Sequence, residues 1–173
     1  PTDTLAALVG LHRELARQAS KAIATPEEAR RANTELREWM RGQDNYLPEI
    51  ERLAEEHVKA SGHLSGALRH REVSVMAKRL GFQRIYVYDL PNSTRSITDL
   101  ENRRIYLPQQ PAGHDPRYVV LQTLGHFALG HTDPADFADF LRQRVEANYF
   151  AAASLVPEDA AVFVISVAAQ LAG

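Results

Sequence analysis

The stretch Arg117-Tyr-Val-Val-Leu-Gln-Thr-Leu-Gly-His-Phe-Ala-Leu-Gly-His131 constrains this chain more than any other. Asp115-Pro116 reads as a capped helix start, and Thr132-Asp133-Pro134 breaks the chain after His131. The spacing therefore predicts a helix from about Pro116 to His131. A second is predicted from about Asp136 to Leu155, with Asp133 or Asp136 as its cap. Positions 122 and 126 differ by about 400° of helix rotation, so Gln122 and His126 share a face one turn apart.

That outline is the frame of a zinc-peptidase helix. In H-E-x-x-H two histidines four residues apart hold one metal and the glutamate activates water. Here His126 stands at the second histidine position, but Gln122 replaces the first and Thr123 replaces the glutamate. A neutral amide is a poor zinc ligand, and a threonine hydroxyl cannot serve as general base near neutral pH. His131 lies five residues on, about 140° round a continuous helix, better placed outside a metal's own ligands or capping carbonyls than on the same metal. The reading is of a scaffold without its hydrolytic groups, so no catalytic and no metal-ligating residues are assigned.

Upstream, apolar positions from Leu5 to Ala19 predict an amphipathic helix over residues 3–23. Thr25-Pro26-Glu27-Glu28 starts a second, running to about Met40 and ended by Gly42, with Trp39 as a packing anchor in its last turn. Asn45-Tyr46-Leu47-Pro48 opens a third, to about Ser61, with Tyr46 expected in the core. A fourth spans about Ser65 to Leu80 and turns Arg69, His70, Arg71, Lys78 and Arg79 to solvent. Arg84–Asp89 reads as a strand, and Ser96–Asp99 with Arg103–Leu107 as a hairpin around Leu100-Glu101-Asn102. After Pro157 a last helix is apolar on every side, so it must be buried or must cover another chain. The fold expected is α+β and mostly helical. A small mixed or antiparallel sheet of about three strands packs on a zincin-like helix pair, preceded by a helical connector.

Composition narrows the function. No cysteine is present, so the chain has no disulfide framework and no thiolate metal site, which is compatible with a cytoplasmic location. The longest apolar run, Ala160 to Ile165, falls far short of the roughly 18 residues of a membrane span. Residues 63–107 carry 8 Lys/Arg against 4 Asp/Glu, while residues 108–173 carry 3 against 7. A surplus of that size suits a phosphorylated ligand better than a nucleic-acid surface.

Leu124-Gly125-His126 with Leu129-Gly130-His131, then Glu146-Ala147-Asn148-Tyr149-Phe150-Ala151-Ala152 and Leu155-Val156-Pro157, resembles the ImmA/IrrE metallopeptidase-like domain. Arg95-Ser96-Ile97-Thr98-Asp99-Leu100-Glu101 and Arg104-Ile105-Tyr106-Leu107 fit the strands preceding the helix in such domains. The departures at Gln122 and Thr123 make it similar to the actinobacterial regulators of short-chain fatty-acid metabolism, the ScfR/PrpR/RamB-like group. The resemblance implies residues 1–62 as a helical connector or dimerisation segment and residues 63–173 as a pseudo-peptidase sensor. It implies DNA binding through an N-terminal helix-turn-helix outside this chain, a homodimer, and propionyl- or acetyl-CoA as effector. An iron–sulfur cluster would belong to a further cysteine-bearing region, since this chain has no cysteine to ligate one.

The residues expected to meet a CoA thioester are Arg95, Arg103, Arg104, Tyr106, Gln122, Thr123, His126, Asn148 and Tyr149. Arginine grips phosphate through paired hydrogen bonds, with Arg69, Arg71 and Arg84 as further cations, and Tyr86 and Tyr88 beside Tyr106 are possible ring faces. Gln122, Thr123, His126 and Asn148 would form a neutral floor able to orient a carbonyl or amide. Structural roles compete with these: strand tyrosines as core, His126 as a satisfied core histidine, Glu146 paired with Arg142 or Arg144, and Asn148 bracing the helices. A residual zinc peptidase using His126 and Glu146, and a pure dimerisation module, are the alternatives.

Overall fold

In the computed structural model, the residues described are Val9, 24–88, 90, 94–109 and 115–156. The readings of residues 3–23, Val9 apart, and of the apolar helix after Pro157 lie outside them. Helix α1 (Pro26–Gly42) starts where its sequence said, with a reciprocal cap. Thr25 Oγ1 accepts from the Glu28 N–H at 3.2 Å and Glu28 Oε2 from the Thr25 N–H at 2.8 Å. Gly42 is its last residue rather than its stop. The turn comes at Asp44 and Asn45, both at positive φ.

Helix α2 (Pro48–Ala60) buries Ile50, Ala54 and Val58 at helical spacing. Tyr46, expected in the core, is instead 45% exposed, and the adjacent Leu47 is the buried residue. Leu47 joins the core beside Ile50, and its N–H donates to the Tyr149 hydroxyl. Helix α3 (His70–Arg79) begins five residues later than Ser65. The preceding chain is closed into a turn by His63 Nε2 on the Gly66 carbonyl (3.0 Å), and Glu72 caps the Arg69 N–H at 2.6 Å. The five basic residues of this segment are exposed, as expected.

The sheet holds β1 (Gln83–Val87), β2 (Ile97–Asp99) and β3 (Arg104–Pro108) in the order β1-β3-β2. Strands β2 and β3 form the expected antiparallel pair, while β1 runs parallel to β3, so the sheet is mixed. Helices α4 (Pro116–Ala128) and α5 (Phe137–Leu155) follow, and Asp136 caps α5 through the Asp139 N–H. The architecture is α+β, as the sequence indicated.

One core joins Ile50, Val58, Val73, Leu107, Leu124 and Phe150, so α2 shares its apolar face with the helices and strands that follow. Ile105 and Leu107 face this core. Their alternates on β3 point to the other side of the sheet, where Tyr106 packs with Leu90 and Ile97. Among the described residues no helix is long and apolar enough to cross a membrane.

Candidate functional site

The α4–α5 contact has a steric condition at its centre. A Cβ on Gly125 would stand 3.0 Å from both Cβ and Cδ1 of Phe150, so the glycine is what lets the helices approach this closely. Thr123, Leu124 and Gly125 are buried on α4, as are Ala147, Phe150 and Ala151 on α5. Polar residues lie along the edges of this seam in two groups.

The first group is neutral. The Gln122 amide donates to the Asn148 side-chain oxygen, linking α4 to α5. Beside it, the Thr123 and Thr98 hydroxyls bond at 2.6 Å, linking α4 to β2. Thr98 pairs with Ile105 in the ladder, so it lies on the sheet face that meets α4. Thr123 is 2% exposed and Gln122 and Asn148 are half-buried. Asn148 does brace the helix pair, as its structural reading held.

The second group is ionic, and a helix end creates it. Helix α4 stops at Ala128, three residues before His131. Gly130 takes φ +68, its N–H bonds the Phe127 carbonyl at 3.1 Å, and the His131 N–H bonds the His126 carbonyl at 3.0 Å. The continuous helix expected through His131 is therefore corrected: the left-handed turn folds His131 back onto the last turn. His131 Nδ1 lies 2.8 Å from His126 Nδ1, and His131 Nε2 lies 2.8 Å from Glu146 Oε2. Arg142 Nε donates to Glu146 Oε1 at 3.1 Å, the pairing expected of Glu146.

Charge fixes the direction of the bond to Glu146. The His131 bond holds the Glu146 carboxyl below its ordinary range, against the opposing effect of burial, and Arg142 adds to the lowering. An ionised Glu146 can only accept, so His131 Nε2 donates to it. At the other edge of the ring, the His131 and His126 Nδ1 atoms share one hydrogen bond.

The donor set does not suit a zinc ion. His126 and His131 turn the same ring atom toward each other, Glu146 is engaged by His131 and Arg142, and position 122 offers an amide. Among the described residues no group of three or more His, Cys, Asp or Glu is arranged to hold a metal.

The other candidates are dispersed. Tyr149, on α5, donates to Glu51 at 2.8 Å while accepting from Leu47, so it joins α5 to α2. Burial and the Glu51 carboxylate push its phenol up to about 12, against the lowering effect of the Leu47 N–H. Tyr106 is 1% exposed and, with Arg104, belongs to the sheet face away from α4, as strand alternation requires. Tyr86 and Tyr88, whose structural reading was core, are exposed. Arg95 is exposed. Arg103 is exposed too, yet pinned: it donates to the Leu80 carbonyl at 3.2 Å and lies 4.9 Å over the Phe127 ring.

Sequence reasoning missed Thr98 and Glu51, which bond Thr123 and Tyr149 across 25 and 98 residues. No local pattern marks such partners. It also missed that Trp39 of α1 lies 4.5 Å beneath the Arg142 guanidinium.

No family model matches the chain, and no curated protein does. Among solved structures it is similar to a Mycobacterium tuberculosis transcriptional regulator, with a TM-score of 0.57 and 20% identity. The match covers 73% of this chain and 41% of the regulator, so the chain corresponds to less than half of that protein's length. At this identity the likeness is one of fold.

Proposed function

We propose that this chain is the ligand-sensing part of a transcription regulator of short-chain fatty-acid metabolism, binding coenzyme A or a short acyl-CoA without hydrolysing it. The observation that carries the reading is the neutral group at the degenerate motif. Where a peptidase needs a metal ligand and a carboxylate base, Gln122 bonds Asn148 and Thr123 bonds Thr98. These groups can donate to or accept from a thioester carbonyl or an amide, but neither amide nor hydroxyl activates water near neutral pH. Exposed Arg95 and Arg103 supply cations for the phosphates. The fold likeness to a transcriptional regulator agrees with the reading.

In the full protein the DNA contact would fall to a helix-turn-helix in another segment, and residues 1–62 would carry the signal and the dimer contact. A ligand shifts such a regulator only through unequal affinity for two conformations. The test is thermal denaturation of this chain with CoA, propionyl-CoA and acetyl-CoA. Ligand at a hundred times its Kd adds about 2.7 kcal/mol. In a domain of this size each kcal/mol raises Tm by about 2–4 °C. An unmoved Tm at millimolar ligand, with the fold intact, overturns the reading.

A further inference from the structure

We propose that Arg142 is a positioning residue that couples the His126 end of the seam to helix α1. The proposal rests on the ligand-sensing reading only for what would disturb His126 in the cell; the coupling itself stands on four contacts. His126 meets His131 at 2.8 Å, His131 meets Glu146 at 2.8 Å, and Glu146 meets Arg142 at 3.1 Å. Arg142 in turn covers the Trp39 ring at 4.5 Å. The chain of contacts starts on α4, passes through the turn after it and α5, and ends on α1. Each inner member is held on both sides.

Arg142 is the member whose chemistry cannot be exchanged. Its side chain is half in water, so its bond to Glu146 would hold little by itself. A planar guanidinium, however, can offer an edge to a carboxylate and a face to an indole at once. A lysine can satisfy Glu146 but presents no plane to Trp39. His131 and Glu146 are far more enclosed, at 8% and 18% side-chain exposure. A displaced His126 ring leaves His131 a single partner, and Glu146 then reorients with the guanidinium it holds. Because the two arrangements differ in where Arg142 sits over α1, a group that favours one biases the other.

Trp39 is the only tryptophan, so its fluorescence reads the far end of the chain of contacts directly. In the ligand-free full chain, Arg142→Ala uncovers the indole, moving its emission to the red and raising acrylamide quenching. His126→Ala is expected to produce a red shift of the same sign, and nothing further when added to Arg142→Ala. Arg142→Lys is expected to abolish the response to His126→Ala. Trp39 emission that ignores His126→Ala and also His131→Gln, with circular dichroism unchanged, overturns the coupling. So does a response that survives in Arg142→Lys.

A calorimetric titration with propionyl-CoA separates this proposal from the ligand reading. Binding with a Trp39 shift that Arg142→Lys removes supports the coupling. Binding without any shift overturns it and leaves the ligand reading standing. No binding removes the ligand reading, and the variants alone then decide the coupling.

Discussion

The two polar groups on the α4–α5 seam are within one helical turn of each other and are built on opposite principles. At Gln122, Thr123 and Asn148 every partner is neutral, and each bond joins two elements without a charge. At His126, His131, Glu146 and Arg142 the bonds run in series through an ionised carboxylate. A neutral pair can be lost from both sides at little cost, because no charge is stranded. Within the ionic series, loss of Glu146 leaves the enclosed His131 Nε2 without its acceptor. The neutral end should thus accept a paired apolar replacement more readily than the ionic end.

The strongest way to break both ends together is Phe150→Ala. Phe150 is wholly buried against Gly125, and its loss should cost about 3–5 kcal/mol in urea unfolding. Next comes Glu146→Ala, which leaves the enclosed His131 without its acceptor and should cost about 1–3 kcal/mol. Glu146→Gln should cost less and should also change the acid limb. The folded carboxyl titrates below its ordinary 4.5, so its contribution is present above that value and lost as pH falls through the folded pKa. Stability of Glu146→Gln measured against pH should therefore fall less steeply than wild type in that window.

The smallest effects sharpen the comparison. Gln122→Ala leaves the Asn148 oxygen without its donor and should cost about 1 kcal/mol. The double variant Gln122→Leu with Asn148→Leu should unfold close to wild type, since both partners leave together. A double variant as damaging as Glu146→Ala would show that the neutral end is held as firmly as the ionic one.

What was legible in the sequence was whatever has a local cause. Thr25-Pro26-Glu27-Glu28 announced α1 and Asp136 announced α5, because capping is chemistry within four residues. Arg142 and Glu146 are four apart on one helix, so their pairing was readable. Tyr46 was misread because two apolar neighbours compete for one inward position before α2, and the core takes Leu47. Tyr86 and Tyr88 were misread because strand propensity does not say whether an edge is covered. His131 was misplaced because periodicity assumes that the helix continues, and one glycine in a left-handed conformation ends that assumption.

That turn at Gly130 makes the two histidines a gauge of helix length. Their rings meet only because α4 stops at Ala128; one further turn of helix would carry them about 140° apart. The identity of residue 130 therefore governs a side-chain contact in which it takes no part. A side chain there would meet no neighbour within 4 Å but would be strained at φ +68, so substitution weakens the turn on which the meeting of the two rings depends.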